Sequence, residues 1–368
     1  MDFRPTEAST DLTGLARDIA AKISTPERIA ELETSGAAVD EQLWRALADA
    51  GLLALEATED AGGAGLGAAE NVAVAEELGR HLAVVPFGPH SIAALPAVAA
   101  AGGALADRWL SGMCDGTAVV TVAIDDELAD DPLAPTTSAR GDGDRWVIDG
   151  CKVSVPFAET AAAVIVTASS DDGLVALVVP TDAPGVTISA ARTTGLVPTA
   201  LIEFADVTLG DDAVLGRREA VVALVDRMTL AQCAEQAGVV AGALDLTAAY
   251  GRERTQFGRP IGSFQAVAQR LADAYIDVRA AKLTVVQAAY LVGEGLPAET
   301  ELATAKFWAA DAGHRVAHTA VHVHGGVGID TSHPLHRYFL RAKQNEFALG
   351  SATAALRRIG HVLAAEPA

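Results

Sequence analysis

The sequence predicts an α+β multidomain fold: a helical N-terminal domain over 1–116, an antiparallel β domain over 117–216 and a C-terminal four-helix bundle over 217–368. Three observations predict it. Apolar residues recur at helical spacing through most of 6–110. From 117 to 216 the pattern changes to short β-type runs separated by Gly, Asp and Pro clusters. From 218 to 364 long Ala-rich helical patterns return, broken near 258–262 and again at 324–330.

In the first domain, the segment 40–53 carries apolar residues one helical turn apart, with Asp40 placed as an N-cap and Gly51 as a stop. A Gly-rich loop, 59–67, follows. No strand precedes it and it lacks the Lys-Ser/Thr of a P-loop, so it reads as a turn and not as a phosphate cradle. A further helix is expected over about 69–82. In the second domain the β-type runs are 118–124, 145–149, 163–167, 174–179 and 200–207.

Composition narrows the function. Half of the 368 residues are hydrophobic, which suits a globular chain with a large core. A formal charge of −21 argues against nucleic acid or an anionic membrane surface as a general partner, and an anionic ligand would need a local basic patch. The three cysteines, Cys114, Cys151 and Cys233, have no paired spacing. They point to a reduced, cytoplasmic setting and to no metal site. No signal peptide is visible after Met1, and the apolar runs at 92–106 and 239–249 are too short or too broken to span a bilayer.

The most informative stretch is Tyr250-Gly-Arg-Glu-Arg-Thr-Gln-Phe-Gly-Arg-Pro-Ile-Gly-Ser-Phe-Gln265. Gly and Pro end one helix and start another there, with arginines placed to meet an anion. Read by residue type alone, the block is equally a helix–helix corner with solvated arginines. The block resembles the signature of acyl-CoA dehydrogenases, and the order of helices, β domain and helical bundle is similar to that family across the whole chain. The resemblance implies FAD as cofactor and an acyl-CoA as substrate. It also implies an oligomer in which this turn lies against the FAD of a neighbouring subunit. Arg254, Gln256, Phe257 and Gln265 fall at the family's cofactor positions, Arg254 suiting a phosphate by its planar fork. Val321-His-Val-His-Gly-Gly-Val-Gly328 resembles the second cofactor motif, with His322 where many members have Gln and with Gly325 and Gly326 giving the backbone close access. The plainer reading of His322 and His324 is a pair of satisfied histidines near a helix end.

Three departures stand out. Members carry a Gly-rich Thr-Glu-Pro loop after the first strand; this chain has the acidic, glycine-free segment 123–135, in which 125–131 is set to repel a phosphate. The family's Trp-x-Thr at the flavin ring is replaced by Ser154 and Pro156, as in a branch that includes heteromeric enzymes for bulky acyl-CoAs. The reaction needs a carboxylate to take the α-proton while the flavin accepts the β-hydride, and an apolar pocket strengthens such a base. The usual position, counted from Pro334, holds Leu349, and the alternative position on the preceding long helix holds Met228. The nearest carboxylates are Glu346, one turn before Leu349, and Glu235, two turns beyond Met228.

These residues leave four readings open. The chain is the baseless subunit of a hetero-oligomeric dehydrogenase with a homologous partner. Otherwise it is a self-sufficient dehydrogenase with Glu235 or Glu346 as base, a flavin-dependent monooxygenase on the same fold, or a non-catalytic acyl-CoA-binding subunit. For the dehydrogenase readings, an electron-transfer flavoprotein or another acceptor is the implied redox partner.

Overall fold

Helices occupy the chain up to the first strand of the computed structural model, which describes residues 3–127, 131–195 and 197–365. They are α1 (Glu7–Ile23), α2 (Pro26–Ser35), α3 (Glu41–Asp49), α4 (Ala68–Arg80), α5 (Leu95–Ala101) and α6 (Gly103–Cys114). Asp40 caps α3 as its position predicts, accepting from the Leu43 N–H at 3.4 Å, and Gly51 takes the left-handed conformation (φ 71°) just beyond the helix. The Gly-rich loop folds back on its own approach, Leu66 N–H donating to the Leu55 carbonyl at 2.7 Å. A π-helical turn, Gly88–Ala94, leads directly into α5.

The sheet contains β1 (Val120–Ala123), β2 (Ser138–Asp142), β3 (Arg145–Pro156), β4 (Ala163–Ser170), β5 (Gly173–Pro180), β6 (Val186–Ala191), β7 (Thr199–Gly210) and β8 (Val214–Arg217). Their order is β6-β7-β3-β2-β4-β5-β8, with β1 beside β4. Most pairings are antiparallel, as expected, but β1 runs parallel to β4 and β2 meets β4 in a parallel bridge. The β2–β3 hairpin forms the long connection that lets the chain re-enter beside β1 in the same direction. The five expected runs correspond to β1, β3, β4, β5 and β7. The short strands β2 and β8 lack apolar alternation, and β6, although Val186-Thr-Ile-Ser alternates, is too short and too exposed to be marked.

Period-two alternation divides the sheet between two cores. Val164, Val166, Val175 and Leu177 pack with Ile148 and Ile202 on one face. Ile165, Ala176 and Val178 pack on the other against Val98, Leu105, Met113, Leu224 and Val225. That second face draws in the N-terminal helices and the start of the next long helix.

The C-terminal part comprises α7 (Arg218–Glu253), a small hairpin of β9 (Thr255–Gln256) and β10 (Arg259–Pro260), α8 (Gln265–Gly293), α9 (Glu299–His324), α10 (Leu335–Phe347) and α11 (Ala352–Ala365). α7 crosses α4 at glycines. A Cβ on Gly238 would lie 1.9 Å from the Glu76 carbonyl oxygen, and one on Gly79 would lie 2.3 Å from that of Glu235. Only glycine permits this approach. Among the described residues no helix is long and apolar enough to cross a membrane.

Candidate active site and outward hairpin

A cavity of about 310 Å³ opens where the sheet, α7 and the end of α10 meet. The segment after β1 contributes Ile124 and Asp125, and β3 contributes Val153 to Pro156. Met228, Ala231 and Glu235 line it from α7, and Asn345 and Leu349 line it from α10 and the turn after it. The resemblance therefore places its flavin-ring positions, Ser154 and Pro156, in the same cavity as both of its base positions.

At the two positions the resemblance assigns to the base stand Leu349 and Met228, side chains that cannot accept a proton. Leu349 adopts φ 55°, sits beside Gly350 at φ 99°, and packs on the core shared by the sheet and α7. Met228 is 7 % exposed in that same core. The two neighbouring carboxylates do not replace them. Glu346 does not line the cavity; it is held by Lys343 and by His314 Nδ1 at 3.2 Å. Glu235 does line the cavity, but Arg341 holds its Oε1 at 3.3 Å and the Asn345 amide donates to the same oxygen at 3.3 Å. Both oxygen contacts tie the Glu235 side chain to α10.

The acidic segment is not uniform. Asp126 is buried and turned inward, where Lys152 Nζ meets its Oδ2 at 2.8 Å and the Thr137 N–H donates to its Oδ1 at 3.1 Å. Lys152 also donates to the Ile124 carbonyl and to Thr167 Oγ1. Burial lowers the Lys152 pKa, and Asp126 counters this. Asp126 is therefore a structural carboxylate and not a repulsive surface one. Asp131 accepts from the Leu133 N–H within its own turn, and residues 128–130 lie outside the described residues.

Asp125 differs from both. Its carbonyl accepts from the Val153 N–H at 2.9 Å, fixing it beside β3, while its side chain lines the cavity. Burial pushes its carboxyl above the usual range, Lys152 and Lys306 partly offsetting that rise. No hydrogen bond or ion pair holds the carboxylate among the described residues. Sequence reading missed it as an individual, seeing only an acidic run. It also missed Lys306, fully buried behind Asn345, whose carbonyl it reaches at 3.0 Å; burial pushes the ammonium pKa down to about 8. Cys233, buried nearby, has its thiol pushed up to about 12 and is inert by that measure.

The other candidate residues gather elsewhere. The hairpin after α7 carries Arg254, Gln256 and Phe257 at the surface, and Phe257 is 92 % exposed. Phe264 stacks edge-on with Phe257 and lies under the Arg259 guanidinium. Gln265 opens α8, also exposed. The Arg254 guanidinium has no protein partner among the described residues. His324, at the end of α9, stacks on Tyr250 with ring centroids 4.2 Å apart, which brings Gly325 and Gly326 to the hairpin's end of the bundle. A Cβ on Gly325 or Gly326 would meet nothing within 4 Å, so both glycines face open space. His322 is exposed and lines an open groove of about 770 Å³ between α8 and α9, while His324 is buried with Nδ1 on the Ala320 carbonyl at 2.8 Å. The two histidines thus diverge, and no metal-ligand cluster occurs among the described residues.

The hairpin lies far along α7 from the cavity. Both lie on α7, and the stretch from Glu235 to the helix end spans about 27 Å at ~1.5 Å per residue.

Comparison with known proteins agrees with this architecture. Family models for the N-terminal, middle and C-terminal domains of acyl-CoA dehydrogenases match residues 6–117, 127–207 and 219–364. The acyl-CoA dehydrogenase FadE27 of Mycobacterium tuberculosis is 45 % identical, with 100 % of each chain covered. Among solved structures, a chain of the ChsE4-ChsE5 complex from Mycobacterium tuberculosis superposes with a TM-score of 0.96 at 46 % identity, covering 100 % of both chains. A chain of a Tcur3481-Tcur3483 steroid ACAD variant superposes with a TM-score of 0.92 at 40 % identity, covering 98 % of each. On the three domain matches and these relatives, the chain belongs to the acyl-CoA dehydrogenase family, whose members are oxidoreductases acting on CH–CH groups.

Proposed function

We propose that the chain is one subunit of a cytoplasmic, hetero-oligomeric, FAD-dependent acyl-CoA dehydrogenase, and that it lacks the α-proton base. The observation that carries this reading is the pairing of a baseless cavity with an outward hairpin about 27 Å away along α7. Leu349 and Met228 stand at both family base positions, and neither can accept a proton. Two of the similar solved structures, those of ChsE4-ChsE5 and Tcur3481-Tcur3483, are of complexes named for two chains, which supports a partner homologous to this one.

The residues of the outward end fit a dinucleotide held mainly by a neighbour. The unpartnered Arg254 fork offers paired donors to a phosphate, and Phe257 presents a bare apolar face. Gly325 and Gly326 let another molecule reach the backbone. The FAD held across that interface supplies the acceptor for the β-hydride of the acyl group. The partner supplies the carboxylate that removes the α-proton, and an electron-transfer flavoprotein or a similar acceptor serves the complex.

The deciding measurement is the visible absorbance of flavin in this chain purified alone and after co-expression with a homologous subunit. A colourless lone chain and a yellow, acyl-CoA-bleached complex are expected. A stoichiometrically yellow lone chain bleached by acyl-CoA overturns the reading.

A further inference from the structure

Asp125 lines the cavity beside Ser154 and Pro156, the positions that the family resemblance assigns to the flavin ring. Its main chain is bonded to Val153, and its side chain shares the cavity with Ser154 and Pro156. Every nearby cation is committed elsewhere. Lys152 serves Asp126, Thr167 and the Ile124 carbonyl. Lys306 serves the Asn345 carbonyl, and Lys343, which also lines the cavity, serves Glu346 and His314. Arg341 is held against Glu235. A planar ring laid on this wall would strip the remaining water from a carboxylate that Lys152 and Lys306 compensate only in part and that no direct ion pair holds among the described residues. Burying a charge without a hydrogen-bonded partner is costly.

We propose that Asp125 keeps a flavin ring out of this chain's own cavity, so that the chain contributes to a flavin site only through its outward hairpin and glycine loop. This rests on the proposed function above and names the residue that makes the subunit asymmetric. The cavity remains large enough for an uncharged ligand portion, at the lower end of the ~300–1,000 Å³ typical of small-molecule sites.

The test is FAD uptake by the purified lone chain, read as flavin absorbance retained after desalting, for the wild type, Asp125→Asn and Asp125→Ser. Both variants remove the charge, and Asp125→Asn keeps the shape. Thermal melting checks that each is folded. The expected result is that both variants bind FAD about tenfold or more tightly than the wild type, equivalent to about 1.4 kcal/mol or more. If Asp125→Asn and Asp125→Ser fold but take up no more FAD than the wild type, the proposal is overturned while the heteromeric reading stands. A wild-type lone chain that binds FAD stoichiometrically without turning over acyl-CoA overturns this proposal alone. Bleaching of that same flavin by acyl-CoA overturns both.

Discussion

Asp126 Oδ2 and Lys152 Nζ meet at 2.8 Å with the two side chains 1 % and 0 % exposed, pinning the segment after β1 to the middle of β3. Removing one partner strands a buried charge. Lys152→Met should destabilise the fold by about 3–5 kcal/mol, whereas Asp126→Leu/Lys152→Met should lose markedly less than the sum of the single changes. Urea denaturation of the three variants checks this, and strict additivity would refute the pairing as an energetic unit.

Glu235 and Glu346 are not proton acceptors in this account. Glu235→Gln and Glu346→Gln should leave kcat/KM of the complex within about threefold, whereas losing a true general base costs about 10²–10⁴-fold. Leu349→Glu, which places a carboxylate at the usual position, should add no second dehydrogenating site if, as proposed, Asp125 keeps a flavin out of that cavity. Steady-state kinetics with an acyl-CoA decides each case.

The hairpin is built for contact and not for the fold. With Phe257 at 92 % exposure, Phe257→Ala and Arg254→Ala should shift the stability of the lone chain by no more than about 0.5 kcal/mol. In the complex the same changes should lower retained flavin. An unchanged flavin content in both variants would remove the hairpin from the cofactor site.

His90 is fully buried between α6 and β1, its Nε2 facing the Met113 carbonyl at 3.0 Å and its Nδ1 facing the Val120 N–H at 3.1 Å. The Val120 donor requires an unprotonated Nδ1, and burial pushes the pKa down to about 4. The folded pKa is below the unfolded one, so the stabilisation is full above about pH 6.5 and is lost as pH falls toward 4, by up to about 3 kcal/mol. Melting temperature should therefore fall across that window, and the slope should flatten in His90→Gln.

Asp226 shows the opposite sign. Burial raises its pKa to about 6, the Arg358 charge opposing the rise and Glu299 adding to it. The folded state then favours the protonated acid, a contribution present below the unfolded pKa and lost as pH rises through about 6. Asp226→Asn should stabilise the chain by about 1–2 kcal/mol at pH 7 to 8 and by little near pH 4. A pH series of melting temperatures tests this.

Much of this was legible because it is periodic or punctuated. The Asp40 cap, the Gly51 stop and the buried strands β4 and β5 follow from residue type and spacing. The hairpin's place between two helices follows from its glycines and proline. What escaped was direction. Asp125 and Asp126 are adjacent acids in an extended segment, where neighbouring side chains point opposite ways. Sequence alone does not say which one turns inward to Lys152. Glu346 was one turn and Glu235 two turns from the base positions, yet the more distant one lines the cavity while the nearer one meets His314. Helical phase between non-adjacent elements decides that, and it is set by packing.

The glycine crossing of α4 and α7 bears on how such a pocket can diversify. With Gly238 and Gly79 set backbone against backbone, α7 has no freedom to slide or roll relative to α4. The wall formed by Met228, Ala231 and Glu235 is therefore a fixed ruler. A lineage that needs to admit a wider acyl group can trim side chains on that wall, or remodel the loop at Thr193 and Thr194 and the turn at Leu349, but it cannot move the wall itself. Descendants of this architecture should differ in pocket width mainly along the loop side, with the helix spacing inherited unchanged.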